Sequence, residues 1–368
     1  MNHQATQPLP KQMQAVVCHK PEDYRLEELE VPVPGPGEVV VKVHSAGICA
    51  SDIACYLGTP GYWSTADIEG YVQPPVVPGH EFVGQVAALG EGAAEKYGLA
   101  IGDSAVSEQV TPCWSCRFCK SGNYHMCIAP EIYGFRRKAQ GAMAEYMKFP
   151  GNAINHLVPR NVPMEHAVYI EPLACAIHAV QRADIQFDDV VVIAGVGPIG
   201  MGMIAAARLR NPRLLIATDV NDWRLERAKK AGAHLVLNPA REDVVAEVLK
   251  LTRGYGCDKF IEASGAGTAV EQGLAMIRNQ GTFVVFGVFK KPVTVDWTVI
   301  GDRKELNILG SHLGPRCYPI AMDMLAKGLL PMDCIISHTL PLTEFQHGID
   351  LVRDGSRSVK VALVPGQD

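Results

Sequence analysis

Four cysteines crowd into PCWSCRFCKSGNYHMC, residues 112–127, at the spacing Cys113-x2-Cys116-x2-Cys119-x7-Cys127. Four thiolates on one short loop complete a tetrahedral zinc shell and leave no position for a substrate. A closed site of this kind organises backbone and contributes folding energy rather than chemistry. An iron–sulfur cluster is the competing use of four cysteines, but the ferredoxin-type spacing differs. A structural zinc is therefore expected at Cys113, Cys116, Cys119 and Cys127. A second set is scattered: Cys49 in GICASD, His80 and Glu81 in PGHEFVG, and Glu171 in IEPLACAIHA. It mixes sulfur, nitrogen and oxygen donors, the chemistry of an open metal site. No single member is diagnostic, because a lone cysteine is more often a small buried hydrophobe.

A third motif, GVGPIG at 195–200, follows the apolar run VVVIA and opens a helix-like segment. Gly195 permits the tight turn, Gly197 lets backbone approach a pyrophosphate, and Gly200 allows close helix–strand packing, with Pro198 and Ile199 completing the turn. The helix N-terminus then faces the phosphate charge. Asp219 closes the next apolar run, LLIATD, nineteen residues after Gly200. A carboxylate there accepts from a ribose 2′-hydroxyl and repels a 2′-phosphate, which favours NAD over NADP. Arg224, on the following segment, is the one residue that would tolerate a phosphate.

These residues need elements to position them. Through about residue 160 the chain carries short Val-rich runs, MQAVVCHK, GEVVVKVHSAGI and FVGQVAALG, bounded by Pro and Gly clusters such as VPVPGPGE. From about 165 onward, apolar runs alternate with helix-like segments, the pattern of a parallel sheet covered on both faces. A chain of 368 residues exceeds one ordinary core and indicates two domains. The net charge of −5 argues against nucleic-acid binding. Eleven cysteines are too sparse for a disulfide scaffold and fit a reducing compartment. The polar start, MNHQATQPLPKQ, lacks the apolar core of a secretory signal, and a cytoplasmic protein is expected. The charge-free run 190–207 is nominally long enough to span a membrane, but its glycines and proline mark a strand, a turn and a helix.

Taken in order, GICASD, PGHE, the four-cysteine loop, IEPL and GVGPIG resemble the zinc-dependent medium-chain alcohol dehydrogenases, within them the sorbitol and polyol dehydrogenase branch. The resemblance covers nearly the whole chain. It implies an α/β fold: a Rossmann doubly wound parallel sheet at 169–305, and a GroES-like β-barrel catalytic domain from 1–168 completed by 306–368. It also implies two zinc ions per chain and NAD. Cys49 and His80 match catalytic zinc ligands, and Glu81 matches a direct ligand of polyol-type members. Glu171 matches a glutamate that binds directly or through the zinc water, so the choice between the two carboxylates stays open. Ser51 matches the hydroxyl that passes on the substrate proton, and Asp52 would orient His80 through its second ring nitrogen. A carboxylate-rich metal shell is harder and suits chelation by adjacent hydroxyls.

Two departures stand out. Ala54 occupies a position where many alcohol dehydrogenases have a proton-relay histidine, and the stretch from Cys49 to His80 is lengthened. That stretch carries Tyr56, Tyr62, Trp63 and Tyr71, which form either a wall of the substrate pocket or a locally packed surface loop. His44 and His178 are read as structural, while His312 and Arg316 fall in a segment that lies near nicotinamide and substrate in polyol members. Cys18, Cys55, Cys175, Cys257, Cys317 and Cys334 have no spacing partner and are read as free thiols. The expected activity is NAD-dependent oxidation of a secondary hydroxyl of a polyol to a ketose. Similarity of the SDIACY segment and long loop to the threitol and erythritol type narrows this to a four-carbon polyol. The rivals are another zinc alcohol or threonine dehydrogenase and a non-catalytic zinc- and dinucleotide-binding protein. The partners expected are a small-molecule polyol, no nucleic acid, no membrane, and copies of the chain itself, a tetramer rather than a dimer.

Overall fold

A computed structural model describes residues 9–366. The first eight residues of the polar start lie outside the described residues. The chain divides into two units: residues up to Glu171 together with Ile336 onward, and Pro172–Ile335.

The first unit is built on a seven-stranded, mainly antiparallel sheet. Its order is Ile336–Pro341, Lys360–Val364, Val39–Ile48, Glu81–Leu89, Ser104–Ser107, Asn155–Leu157, with Tyr146–Phe149 also pairing Val39–Ile48. The central strand, VVVKVHSAGI, buries every residue except Lys42 and His44, the pattern of a strand with one face in the core and a few side chains released to water. Phe82, Tyr133 and Phe149 pack in the core with ring centroids 5.2–6.1 Å apart. The C-terminal strand enters between two others, pairing antiparallel to Val39–Ile48 with Val361 opposite Ile48. That long-range pairing brings the end of the chain to residues near position 48.

The second unit is a six-stranded, all-parallel sheet in the order Leu235–Leu237, Leu214–Thr218, Val190–Ala194, Cys257–Glu262, Ile277–Val285, Asn307–Gly310. Numbered along the chain this is 3-2-1-4-5-6, the doubly wound dinucleotide-binding order. All five residues of Val190–Ala194 are buried, as befits the strand at the switch point. The crossover helices carry their own start signals: Asn221 accepts from the Arg224 backbone N–H at 3.2 Å, and Asp243 from that of Ala246 at 3.0 Å. The charge-free run at 190–207 resolves into the strand Val190–Ala194 and the helix Pro198–Arg208. Among the described residues no helix is long and apolar enough to cross a membrane.

The return to the first unit comes at Ile336 rather than at 306, and the first boundary falls inside the helix Ile170–Ala183 rather than before it. Beyond 306 the second unit holds the strand Asn307–Gly310 and the helices Tyr318–Ala326 and Met332–Ile335. The strand pairs with the open edge Thr282–Val285 and extends the parallel sheet by one strand. Its four residues are largely exposed, so no apolar run announces it.

Candidate active site and metal centres

Cys49 stands at the junction between the strand Val39–Ile48 and the short helix Ala50–Tyr56. Its backbone N–H donates to Asp52 Oδ2 at 2.8 Å, an acidic residue in the first helical turn stabilising the orphan N–H groups there. His80 and Glu81 arrive at the start of the neighbouring strand, with Glu81 opposite Gly47. Gly47 has no room for a side chain: a Cβ there would lie 2.2 Å from Glu81 Oε2. Its missing side chain lets the Glu81 carboxylate lie across the adjacent strand. Cys49, His80 and Glu81 thereby place their ligand atoms within 4.8 Å of one another. One sulfur, one imidazole nitrogen and one carboxylate oxygen make a donor set that fits zinc, with a fourth position left for water or substrate.

His80 is buried and its two nitrogens face different partners. Nε2 lies 3.4 Å from Ser51 Oγ. Nδ1 lies 3.6 Å from Asp52 Oδ1, an ion-pair separation longer than the hydrogen bond expected from the sequence. Asp52 has committed its other oxygen to the Cys49 N–H, which limits its approach to the imidazole. Burial opposes the imidazolium, yet Asp52 and Cys49 outweigh it and hold the His80 pKa well above its ordinary value.

Glu171 is not part of the three-residue cluster. It is buried on the first turn of Ile170–Ala183, and its Oε1 accepts from the Gln109 amide Nε2 at 2.6 Å. Glu81 has a partner of its own that the sequence did not reveal. Lys360, on the C-terminal strand, donates to Glu81 Oε2 and, at 3.0 Å, to the Ile48 carbonyl. Both charged side chains are 1% exposed. Burial works against the Lys360 ammonium, but Glu81, Cys49 and Glu171 raise its pKa above the ordinary lysine value. The available signal was a single lysine inside the otherwise apolar run VKVALV.

The four-cysteine loop forms the second centre, with all four sulfurs within 4.8 Å of one another. Cys116 and Cys119 sulfurs are 3.5 Å apart, and those of Cys113 and Cys119 4.0 Å. These spacings far exceed the disulfide length of about 2.05 Å. They bracket the edge of about 3.8 Å of a tetrahedron with zinc–sulfur bonds of about 2.3 Å. The backbone N–H of Cys116 donates to Cys113 Sγ and that of Cys113 to Cys127 Sγ, both at 3.4 Å, which stabilises thiolates. Donation from Ser115 and the Cys116 N–H pulls the Cys113 thiol down to about 6. Buried Glu108 ties the loop to the sheet, accepting from Tyr124 at 2.9 Å and facing His156 Nε2 at 3.2 Å.

At the dinucleotide turn, Gly195 has φ +95° and Gly200 would place a Cβ 2.0 Å from the Gly195 carbonyl oxygen. The helix beginning at Pro198 can approach the strand only because both positions lack side chains. Asp219 Oδ2 accepts from the Val196 N–H and Oδ1 from the Asn221 N–H, each at 2.8 Å. Its oxygens retain lone pairs for a ribose hydroxyl. The Arg224 guanidinium reaches to within 3.9 Å of the space a Gly197 side chain would fill.

Of the other aromatic and titratable residues singled out, Tyr56 is a core residue, stacking edge-on against Tyr24 at 5.1 Å. Trp63 packs locally, donating from Nε1 to the Cys55 carbonyl at 2.7 Å. His44 is on the exposed side of its strand, and His178, His312 and Arg316 lie in the second unit. Cys18, Cys55, Cys175, Cys257, Cys317 and Cys334 form no disulfide.

Residues 35–160 match the alcohol dehydrogenase GroES-like domain family, and 198–327 the zinc-binding dehydrogenase family. The erythritol/L-threitol dehydrogenase of Mycolicibacterium smegmatis is 51% identical over 357 residues, covering 97% of this chain and 99% of that protein. The L-threonine 3-dehydrogenase of Pyrococcus horikoshii is 35% identical over 343 residues, covering 92% and 94%. Among solved structures, an alcohol dehydrogenase from E. coli CFT073 complexed with NADH superposes with a TM-score of 0.85. It is 29% identical and covers 96% of this chain and all of that one. The chain belongs to the zinc-binding alcohol dehydrogenase family with a GroES-like domain, and it is an oxidoreductase.

Proposed function

We propose that this protein is an NAD-dependent zinc dehydrogenase that oxidises a secondary hydroxyl of a four-carbon polyol to a ketose. The observation that carries this is the convergence of Cys49, His80 and Glu81 into one three-donor cluster. Its substrate class is supported by the 51% identical erythritol/L-threitol dehydrogenase. When bound, zinc supplies Lewis acidity that brings a hydroxyl's pKa toward neutrality, and NAD supplies the hydride acceptor.

The chain's own residues do the remaining work. Cys49, His80 and Glu81 would hold the catalytic zinc, with Asp52 keeping the His80 ring oriented through its 3.6 Å contact. Ser51, whose Oγ lies beside His80 Nε2, would relay the proton of the substrate hydroxyl, taking it up on its oxygen as it releases its own. Lys360 compensates the Glu81 charge, so the buried cluster is not left with two uncompensated anions. Glu171, fixed by Gln109, stands as a second carboxylate outside the three ligands. The turn Gly195–Gly200, with Pro198 and Ile199, cradles the pyrophosphate, and Asp219 takes the ribose hydroxyl while Arg224 lies alongside. Cys113, Cys116, Cys119 and Cys127 hold the second, structural zinc.

The absence of a disulfide among the eleven cysteines suits a cytoplasmic compartment, and family resemblance supports a homotetramer, which gel filtration tests. The activity is tested by NADH formation from purified enzyme offered glycerol, erythritol, threitol, sorbitol and L-threonine. Turnover of the tetritols above the rest is expected. Turnover of L-threonine alone would replace this assignment with the threonine dehydrogenase activity of the 35% identical relative. No turnover, with one zinc per chain, would indicate a binding protein.

A further inference from the structure

The segment between the Cys49 helix and His80 is a folded loop with two different faces. Residues 64–69 are exposed, whereas Tyr62 and Tyr71 are half-buried. Backbone hydrogen bonds hold its two arms together and to the core: Val72 N–H donates to Tyr62 O at 3.0 Å, and Gln73 N–H to Phe135 O at 2.9 Å. The Tyr62 and Tyr71 rings lie 5.1 Å apart, tilted at 45°. Both rest on Phe135, at 5.9 and 5.5 Å. Phe135, in turn, packs on the His80 ring at 5.5 Å. A continuous stack of aromatic rings therefore runs from an imidazole of the metal cluster, through the buried Phe135 ring, to two half-buried phenols.

We propose that Tyr62 and Tyr71 are specificity-determining residues, forming, over the buried Phe135 ring, an aromatic wall whose phenols recognise the hydroxyls of a short polyol beyond the reacting carbon. This rests on the polyol dehydrogenase function proposed above. The ring faces suit the C–H edges of a polyol, and each tyrosine holds its hydroxyl on only two rotatable bonds. Burial pushes both phenols up from their ordinary value, and the two hydroxyls hydrogen-bond to each other, which leaves one proton and the remaining lone pairs for substrate hydroxyls. Sites built to pair a substrate hydroxyl discriminate strongly against analogues that lack it, because their own polar groups are then left unpaired.

The test compares erythritol with 2,3-butanediol, which has the same carbon chain without the two terminal hydroxyls. The enzymes are wild type, Tyr62→Phe, Tyr71→Phe and the double variant, each checked for zinc content, NAD affinity and melting temperature. Removing each hydroxyl is expected to lower kcat/KM for erythritol about tenfold, in line with the loss of one good hydrogen bond. The rate on 2,3-butanediol should stay within about twofold, so the ratio of the two shifts. An unchanged ratio in the double variant overturns the wall while leaving the polyol function intact. A wild type that oxidises no polyol at all overturns both, and the two failures are told apart by the wild-type assay alone.

Discussion

Lys360 reaches across 279 positions of sequence to ion-pair with Glu81, the carboxylate of the candidate catalytic cluster. Neither side chain is more than 1% exposed. A buried pair of this kind contributes little over a well-packed apolar pair, but removing one member strands the other charge. Lys360→Met is therefore expected to destabilise the protein by about 3–5 kcal/mol and to lower zinc occupancy at the Cys49 cluster. Lys360→Arg should recover part of both. Urea unfolding and metal analysis of the two variants read the effect.

Gly47 controls the same carboxylate from below. Because a Cβ there would sit 2.2 Å from Glu81 Oε2, Gly47→Ala must push the carboxylate aside. Loss of activity and of one zinc per chain is expected with the four-cysteine zinc retained. A variant with wild-type zinc and kcat would show that the position of Glu81 does not matter.

The two metal centres should separate under mutation. His80→Ala should abolish turnover and drop the zinc content from two to one per chain, with the chain still folded at a lowered melting temperature, since buried Asp52 loses its imidazole partner. Cys113→Ala removes one of four thiolates from a closed site, and the cost should appear first as lowered melting temperature or failed assembly. If Cys113→Ala stayed folded and assembled yet lost turnover alone, the roles assigned to the two metals would be reversed.

Asp219 secures the dinucleotide turn while facing the ribose position. Asp219→Ala leaves the Val196 and Asn221 N–H groups without their acceptor and removes the repulsion toward a 2′-phosphate. The Kd for NAD should rise about tenfold or more, and the preference for NAD over NADP should shrink, since Arg224 remains nearby. Isothermal titration with both cofactors measures this.

Acid sensitivity should include a small contribution from Glu38. Burial pushes its carboxyl up, but the Lys148 ammonium at 2.7 Å and the Gly35 N–H outweigh that and leave its pKa below the ordinary value. A depressed folded-state pKa contributes stability that is present above the unfolded value of about 4.3 and lost as pH falls through the folded one. The pair is partly exposed, so Glu38→Gln should cost about 0.2–1 kcal/mol at neutral pH. The difference from wild type should vanish once pH has fallen below the folded-state value of Glu38, as followed by thermal melts.

What could be seen in the sequence was local. The four-cysteine loop spans sixteen residues, and GVGPIG is one turn between a strand and its helix, so spacing alone exposes their geometry. The parallel sheet was equally visible, because strands buried on both faces must be apolar throughout. The strand Asn307–Gly310 was not, because an exposed edge strand needs no apolar run, and the later domain boundary falls beyond it.

The amino-acid order by itself determined the donor types, their family-like succession and the two kinds of sheet, since these depend on chemistry carried within single elements. Only the tertiary structure brings the Glu81 carboxylate together with Cys49 and His80 as candidate ligand atoms. Strand pairing sets Glu81 across from Gly47 and Lys360 beside it, while Glu171 accepts from Gln109. It likewise decided that Tyr62 and Tyr71, rather than Tyr56 or Trp63, continue the ring stack that begins at His80 and passes through Phe135. Those outcomes rest on contacts between segments remote in sequence, which pairing register and burial create and residue spacing does not encode.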